Sequence, residues 1–218
     1  MEKRFDLIIF DWDGTLMDSA AHIVEAIRAA AADVGVTVPT PEAARHVIGL
    51  GLQDAIAMAL PDLPQDRYDE LVASYRHHFF TTAIQRQRLF AGVEELLVSL
   101  REQRYWLAVA TGKGRAGLDR SLEETALGRY FVTSRTADET ASKPDPKMLH
   151  EILFELDVVP ERALMVGDTS YDLEMAARAR VPSVGVTGGA HAIEHLLPHQ
   201  PRTILDDIRE LETWLADL

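Results

Sequence analysis

Apolar and polar positions along the chain predict an alternation of strands and helices. Residues 7–10 (LIIF) form a continuous apolar run of the length typical of a buried parallel strand. From residue 92 onward, apolar runs of strand length alternate with segments whose apolar residues recur every three or four positions, as on one face of a helix. The pattern predicts strands at 105–110, 130–134, 163–167, 182–187 and 203–205, and helices at 92–103, 115–126, 146–156, 171–179 and 207–216.

Between about residue 18 and residue 88 the pattern is helical throughout, with apolar stripes at 20–34, 41–48, 51–60 and 65–84. We therefore expect an α/β fold with a Rossmann-like parallel sheet core flanked by helices, and an all-helical cap domain inserted after the first strand. The expected boundaries are 1–17 and 88–218 for the core and 18–87 for the cap.

Composition narrows the class of protein. The 218 residues are 47% hydrophobic and 26% charged, as in an ordinary globular protein, and a net charge of −13 argues against nucleic acid or an anionic membrane as a partner. The absence of cysteine excludes disulfides, thiolate chemistry and cysteine-bound zinc. The charged start MEKRFD leads directly into the first strand, and no apolar stretch approaches about twenty residues, so a cytoplasmic location is expected. No pattern predicts an oligomeric state.

Two carboxylates follow the first predicted strand. Asp11 ends the strand and Asp13 comes two residues later, within DWDGTLMDS. Because side chains alternate at the end of a strand, Asp11 and Asp13 should point to the same side. Neighbouring carboxylates repel each other unless they share a cation. Their place at the mouth of an open α/β sheet predicts a metal-dependent site.

Three further segments with candidate chemistry are each expected at the carboxyl end of a predicted strand. Thr111 and Gly112, in VATGK, offer a hydroxyl and an unobstructed amide for phosphate oxygens, although Thr-Gly after a strand is also an ordinary turn. Lys143, in SKPDP, could neutralise a phosphate or be a solvated loop residue. Asp168 and Asp172 can share one face at the start of a helix, and helix capping accounts for one of them.

In this order, the motifs DWDGTLMDS, VATGK, SKPDP and MVGDTSYDLEMA resemble those of the haloacid dehalogenase superfamily of phosphohydrolases. The resemblance covers essentially the whole chain and is greatest to the phosphoglycolate phosphatase-like branch with a helical cap after the first strand. It implies a Mg²⁺-dependent phosphatase that hydrolyses a small phosphorylated metabolite, phosphoglycolate-like or a sugar phosphate, through an aspartyl-phosphate.

The resemblance also implies a role for each residue. Asp11 is expected to be the nucleophile, and Asp13 the general acid and base. Mg²⁺ is expected to bind the carboxylates of Asp11 and Asp168 and the backbone carbonyl of Asp13, with Asp172 behind them to orient a bound water or Lys143. The groups expected around the phosphoryl oxygens are Thr111, the Gly112 amide and Lys143.

Three other functions compete with this prediction. A phosphomutase of the same superfamily shares every catalytic residue. A non-catalytic binding protein on the same fold would be expected to lose one of the aspartates or the lysine. A phosphoryl-accepting receiver domain would be shorter and lack the helical insertion. The carboxylate at Asp13, where the cation-pumping ATPases of the superfamily have threonine, favours hydrolysis by water.

The cap is expected to close over the site and to select the substrate, with hinges near 17–20 and 85–91. The loop 46–54 contains Gly49 and Gly51, which allow close approach to a ligand. The polar residues available there are Arg45, His46 and Gln53.

Two further patterns favour structural roles. The histidines within 191–199 lie four residues apart, a spacing that could bind zinc on one helix, but Pro198 would interrupt that helix, so a polar surface loop with a short helix is expected. Phe79 and Phe80, within a helix, are expected in the core of the cap.

Overall fold

A computed structural model describes residues 3–81 and 88–218. Its main sheet has six parallel strands in the order β5-β4-β1-β6-β7-β8. Helices and a two-stranded ribbon make up the remaining regular structure. In chain order the elements are β1 (Leu7–Phe10), β2 (Met17–Asp18), α1 (Ala20–Val34), α2 (Pro41–His46), α3 (Leu52–Ala59), α4 (Tyr68–Thr81), β3 (Arg88–Leu89), α5 (Val93–Glu102), β4 (Trp106–Thr111), α6 (Arg115–Thr125), β5 (Thr133–Thr136), α7 (Lys147–Leu156), β6 (Ala163–Gly167), α8 (Ser170–Arg178), β7 (Ser183–Val186), α9 (Ile193–Leu196), β8 (Ile204–Leu205) and α10 (Glu210–Ala216).

Strand β1 lies at the centre of the sheet, paired with β4 on one side and β6 on the other. Its four residues are fully buried because both faces of the sheet are covered. Ile8 and Phe10 pack in a layer with α5 and α10, whereas Leu7 and Ile9 pack in the opposite layer with α7 and α8. The continuous apolar run of β1 is thus explained by two cores, one on each face of the sheet.

The helices α1 to α4 form a third apolar cluster of their own, in which α1 and α4 pack against each other. A small antiparallel ribbon at the base of this insertion pairs Met17 with Leu89 and Asp18 with Arg88. The pattern of the sequence did not predict the ribbon, since two-residue strands have no measurable periodicity. The second expected hinge, 85–91, lies partly outside the described residues, so the division at 17/18 and 87/88 stays a prediction.

The predicted fold class is confirmed: a parallel sheet flanked by helices with a helical insertion after the first strand. The strand expected at 130–134 is displaced to β5 because Tyr130 and Phe131 pack on the core from a turn and not from the sheet. The helix expected at 65–84 begins at Tyr68, after one turn of 3₁₀-helix, and residues 82–84 lie outside the described part. Within residues 3–81 and 88–218, every helix is too short or too polar to cross a membrane.

Candidate active site

The predicted site residues converge at the carboxyl edge of the sheet. Asp11 follows β1, Thr111 ends β4 and Asp168 follows β6. Because β4, β1 and β6 are neighbours, the chain positions after their ends meet at one place. The order of the strands therefore brings together residues that lie more than 150 positions apart in the sequence.

Lys143 is buried and bridges two of the carboxylates. Its ammonium donates to Oδ1 of Asp11 and to Oδ1 of Asp172, each at 2.6 Å, and all three side chains are at most 1% exposed. The other oxygen of Asp11, Oδ2, is also buried and has no hydrogen-bond partner within the described residues. The other oxygen of Asp172 accepts from the backbone amide and hydroxyl of Thr169, in a capping box at the start of α8.

Asp168 is held by groups from two different loops. The Thr15 hydroxyl donates to its Oδ1 at 2.6 Å and the Ala190 amide donates to its Oδ2 at 2.7 Å. Both loops approach so closely that a Cβ atom at Gly14 or Gly189 would lie 2.2 Å from Oδ2 of Asp168. Gly14 also has a positive φ of 89°, so its backbone and its position both require glycine.

The negative charges of this cluster favour the binding of a further cation. Burial raises the pKa of Asp11 well above its usual range, and Asp172 and Asp168 raise it further, while Lys143 opposes them. Burial, followed by the charge of Asp172, raises the pKa of Asp168 to about 7. The charges of Asp11 and Asp172 outweigh burial and raise the pKa of Lys143, which stays protonated. One ammonium thus faces three buried carboxylates.

These three carboxylates fit a divalent metal ion. Asp11, Asp168 and Asp172 each offer an oxygen, and the three oxygens lie within 4.8 Å of one another. Carboxylate oxygens are the ligands that Mg²⁺ prefers, and the free Oδ2 of Asp11 lacks a partner that a cation would supply. The carboxylate of Asp13 is not part of this group.

Asp13 instead faces a second lysine. Lys113 donates to its Oδ2 at 2.7 Å and the Ser19 hydroxyl donates to its Oδ1 at 2.8 Å. Ser19 lies at the N-cap of α1, where a serine usually caps the helix, yet its hydroxyl makes no capping bond. Lys113 and Asp13 remain 9% and 11% exposed, so solvent reaches this pair, unlike Lys143.

Thr111 and Gly112 lie where the cap meets the core. The Thr111 hydroxyl accepts from the Lys113 amide at 3.1 Å. A Cβ atom at Gly112 would lie 2.3 Å from the carbonyl oxygen of Gly49 and 2.5 Å from that of Leu50. Glycine is therefore required at position 112 by the close approach of the loop 46–54 of the cap, independently of any ligand that the Gly112 amide binds.

Between cap and core lies a cavity of about 890 Å³. Asp11, Asp13 and Gly112 line its floor, and residues of α1, α4 and the loop before α3 line its roof. Gln53 lines it as well, but Arg45 and His46 do not. Arg45 donates to the Gly189 carbonyl, and the ring of His46 stacks on that of His191 at 5.0 Å, so these two residues join cap to core on another side of the loop.

The histidines of 191–199 belong to this contact between cap and core. Ser170 donates its amide to Nδ1 of His191, whose Nε2 donates to the His46 carbonyl. His191 is 4% exposed, so the expected surface loop is buried at this point. Within the described residues, the group of side chains placed to hold a metal is the aspartate cluster.

Several residues of the site were missed from the sequence. Thr15 donates to Asp168, and Ser19 donates to Asp13. Both residues lie outside helices and long strands, where the sequence has no periodic signal. The pairing of the Lys113 ammonium with Asp13 depends on the loop after β4, so no sequence pattern indicates it. Phe79 is in the apolar cluster of the cap, as expected, but Phe80 is 37% exposed and lines the cavity.

Comparisons with known proteins agree with this architecture. Residues 8–186 match the family of haloacid dehalogenase-like hydrolases. A probable phosphatase IndB from Dickeya dadantii is 36% identical over 210 residues, which are 94% of this chain and 91% of that protein. A phosphoglycolate phosphatase from Agrobacterium fabrum is 31% identical over 216 residues, 97% of this chain and 92% of its own. The crystal structure of a predicted phosphoglycolate phosphatase from Haemophilus somnus superposes with a TM-score of 0.87 at 25% identity, covering 98% of this chain and 99% of that one.

The predicted resemblance to the phosphoglycolate phosphatase-like branch is confirmed by these relatives, as is the prediction of a phosphatase-type hydrolase. A receiver domain is excluded, since the match extends over most of the chain, the helical insertion included. The chain belongs to the haloacid dehalogenase-like hydrolase family.

Proposed function

We propose that this chain is a Mg²⁺-dependent phosphatase that hydrolyses a small-molecule phosphomonoester through a phosphorylated Asp11. The observation that carries the proposal is the state of the Asp11 carboxylate, which is buried with one oxygen on Lys143 and the other without a partner. An unpaired buried polar atom costs on the order of 1–3 kcal/mol. Such an oxygen is suited to bind a ligand that supplies the missing partner.

The proposed roles are those that the family resemblance implies, and the contacts of each side chain support them. Asp11 attacks phosphorus, so that a bond forms between its carboxylate and phosphorus while the bond to the alcohol oxygen breaks. Asp13, on the cavity side, gives a proton to the departing oxygen and then takes one from the water that releases phosphate. Lys143 holds Asp11 in place through a 2.6 Å hydrogen bond. Thr111 and the Gly112 amide lie at the floor of the cavity, where phosphoryl oxygens would accept hydrogen bonds.

The metal would be held by the carboxylates of Asp11 and Asp168 and by the backbone carbonyl of Asp13. Asp172 would stand behind them, because both of its oxygens already accept hydrogen bonds from Lys143 and Thr169. Mg²⁺ supplies positive charge that lets a phosphate dianion approach a cluster of carboxylates. Asp172 also keeps Lys143 directed at Asp11, since the ammonium bridges both residues. A cytoplasmic location and the exclusion of nucleic acid from its partners stay predictions.

Hydrolysis is preferred over phosphomutase activity because the named relatives are phosphatases. A non-catalytic binding protein is disfavoured, since all five predicted side chains, the four aspartates and Lys143, are present and four of them are fully buried together. No residue of the site favours either alternative.

The test is phosphate release from a panel of phosphomonoesters, with Mg²⁺ and after thorough chelation. We expect hydrolysis only with the metal. The Asp11→Asn variant should lose at least about 10³-fold in kcat and keep its melting temperature within a few degrees, because a nucleophile is removed but its volume is kept.

Activity that survives chelation, or a fully active Asp11→Asn variant, would contradict the mechanism. A mutase would instead convert one sugar phosphate into an isomer without releasing phosphate, which chromatography of the products distinguishes.

A further inference from the structure

One face of helix α4 forms much of the cavity roof. Its seven cavity-lining residues follow spacings of three and four, which place them along a single side of the helix: Tyr68, Asp69, Val72, Tyr75, Arg76, Phe79 and Phe80. Four of these seven residues are aromatic. This side of α4 therefore presents rings to the space above the predicted nucleophile.

These rings lie next to Asp13, the residue proposed to protonate the leaving oxygen. Lys113, which donates to Asp13 at 2.7 Å, also lies over the ring of Phe79, with its nitrogen 4.7 Å from the ring centroid. A single ammonium thus separates the Asp13 carboxylate from an aromatic face. Burial raises the pKa of the Tyr75 phenol, and the nearby charge of Asp13 raises it further. An alcohol leaving toward Asp13 extends directly toward α4.

The rings are arranged as a continuous surface. Tyr75 and Phe79 stack with centroids 5.8 Å apart and planes 26° apart, and Phe80 meets Phe79 edge-on at 5.2 Å. The guanidinium of Arg120 lies 4.6 Å from the centroid of Phe80. Offset and edge-on contacts are the preferred geometries of aromatic pairs, and the ring of a ligand can use the same geometries.

The roof beside these rings is apolar too. Ile23 and Ile27 of α1 and Val72 of α4 line it. A two-carbon acid would leave most of these apolar side chains in water. Cavities of roughly 300–1,000 Å³ hold ligands of the size of a drug or a cofactor, and this one measures about 890 Å³.

We propose that the preferred substrate is a phosphomonoester whose alcohol carries a planar ring, which stacks on the aromatic face of α4 formed by Tyr75, Phe79 and Phe80. Arg76 and Gln53, at the same cavity, would meet polar substituents of the ring. This inference rests on the proposed phosphatase function and adds the chemical class of the leaving group.

The test compares esters that share a primary alkoxide leaving group and differ in what it carries. Uridine 5′-monophosphate and pyridoxal 5′-phosphate have a planar ring, whereas phosphoglycolate and glycerol 3-phosphate have none. With Mg²⁺, we expect kcat/KM for at least one of the ring-bearing esters to exceed that for both small esters at least ten-fold. Because the reacting bond is alike in all four, the ratio reports binding of the alcohol portion.

Substitutions on α4 test whether its rings cause the preference for ring-bearing esters. Phe80→Ala and Tyr75→Leu should lower the ratio of kcat/KM, ring-bearing ester over phosphoglycolate, by about five-fold or more, the size typical of a lost stacking contact with a base. Tyr75→Phe keeps the ring and should keep the ratio. Phe154→Ala is the matched control, since Phe154 is 91% exposed on α7 and does not line the cavity.

Each outcome has one meaning. Comparable or higher kcat/KM for phosphoglycolate, or a ratio unchanged by both Phe80→Ala and Tyr75→Leu in folded protein, overturns the ring proposal and leaves the phosphatase proposal standing. Failure of all four esters to release phosphate with Mg²⁺ overturns the phosphatase proposal, and the ring proposal with it. Thermal melting of each variant shows whether the cap is still folded.

Discussion

The site contains two lysine–aspartate pairs with the same chemistry and opposite surroundings. Lys143 and Asp11 are at most 1% exposed, and the lysine is shared with Asp172. Lys113 and Asp13 border the cavity, near Phe79 of the cap, and remain partly exposed. A buried ammonium cannot leave without stranding its carboxylates, whereas one at a cavity can be replaced by water.

Because of this difference in burial, we expect the two pairs to have different roles. The first is fixed by the core of the sheet and holds the proposed nucleophile at one position. The second borders the cavity, and its lysine also contacts Phe79 of the cap. The four predictions below test this contrast, beginning with the largest effect.

Replacing the buried lysine should be severe. Lys143→Met leaves Asp11 and Asp172 without their shared cation, so we expect the free energy of unfolding to fall by about 3–5 kcal/mol, with loss of activity. Chemical denaturation followed by circular dichroism measures the change. A loss below about 1 kcal/mol would mean that the buried pair does not hold the site together.

Metal binding should be coupled to pH at the buried group. Asp168 has a pKa of about 7 in the folded protein, against roughly 3.9 in an unfolded chain. Between these values the metal-free folded state binds more protons than the unfolded state, so its stability falls as the pH rises. Mg²⁺ compensates the charge that appears there.

The rise in melting temperature on adding Mg²⁺ should therefore be larger at pH 8 than at pH 5, by an amount equivalent to about 1–3 kcal/mol. Scanning fluorimetry at the two pH values measures it, with Ca²⁺-free buffer and excess chelator as the reference. Equal shifts at both pH values would indicate that the metal does not bind at these carboxylates.

Replacing the cavity lysine should affect activity more than stability. Lys113→Met removes a pair that solvent already reaches, so we expect a loss of about 1 kcal/mol in the free energy of unfolding. Activity should fall about ten-fold, because the proposed acid and base loses the neighbour that positions it. Lys147→Met, at an exposed lysine on α7, is the control and should alter neither.

The smallest effect is expected at Ser19. Ser19→Ala removes the hydrogen bond to Asp13 but no helix cap, since the hydroxyl makes none. We expect a change of less than about 1 kcal/mol in stability and a several-fold loss in kcat. A stability loss near 2 kcal/mol with full kcat would show that the serine supports the helix and not the carboxylate.

Sequence and structure contributed differently to this description. Alternating apolar runs were sufficient for the fold class, and Asp11 and Asp168 could be placed because they directly follow buried strands. The β2–β3 ribbon could not be predicted, because two-residue strands are stabilised by their pairing and not by a pattern. The cavity role of Phe80 was missed, since spacing on a helix does not tell an apolar core from an apolar binding wall.

What the sequence determined by itself is local: which segments are strands, which are helices, and which carboxylates stand at strand ends, because these depend on periodicity within a few residues. Only the tertiary structure decided that Lys143 bridges Asp11 and Asp172, that Lys113 meets Asp13, and that α4 turns its rings toward them. These contacts join residues up to 132 positions apart, and no short-range pattern encodes which side chains the packing of cap on core brings together.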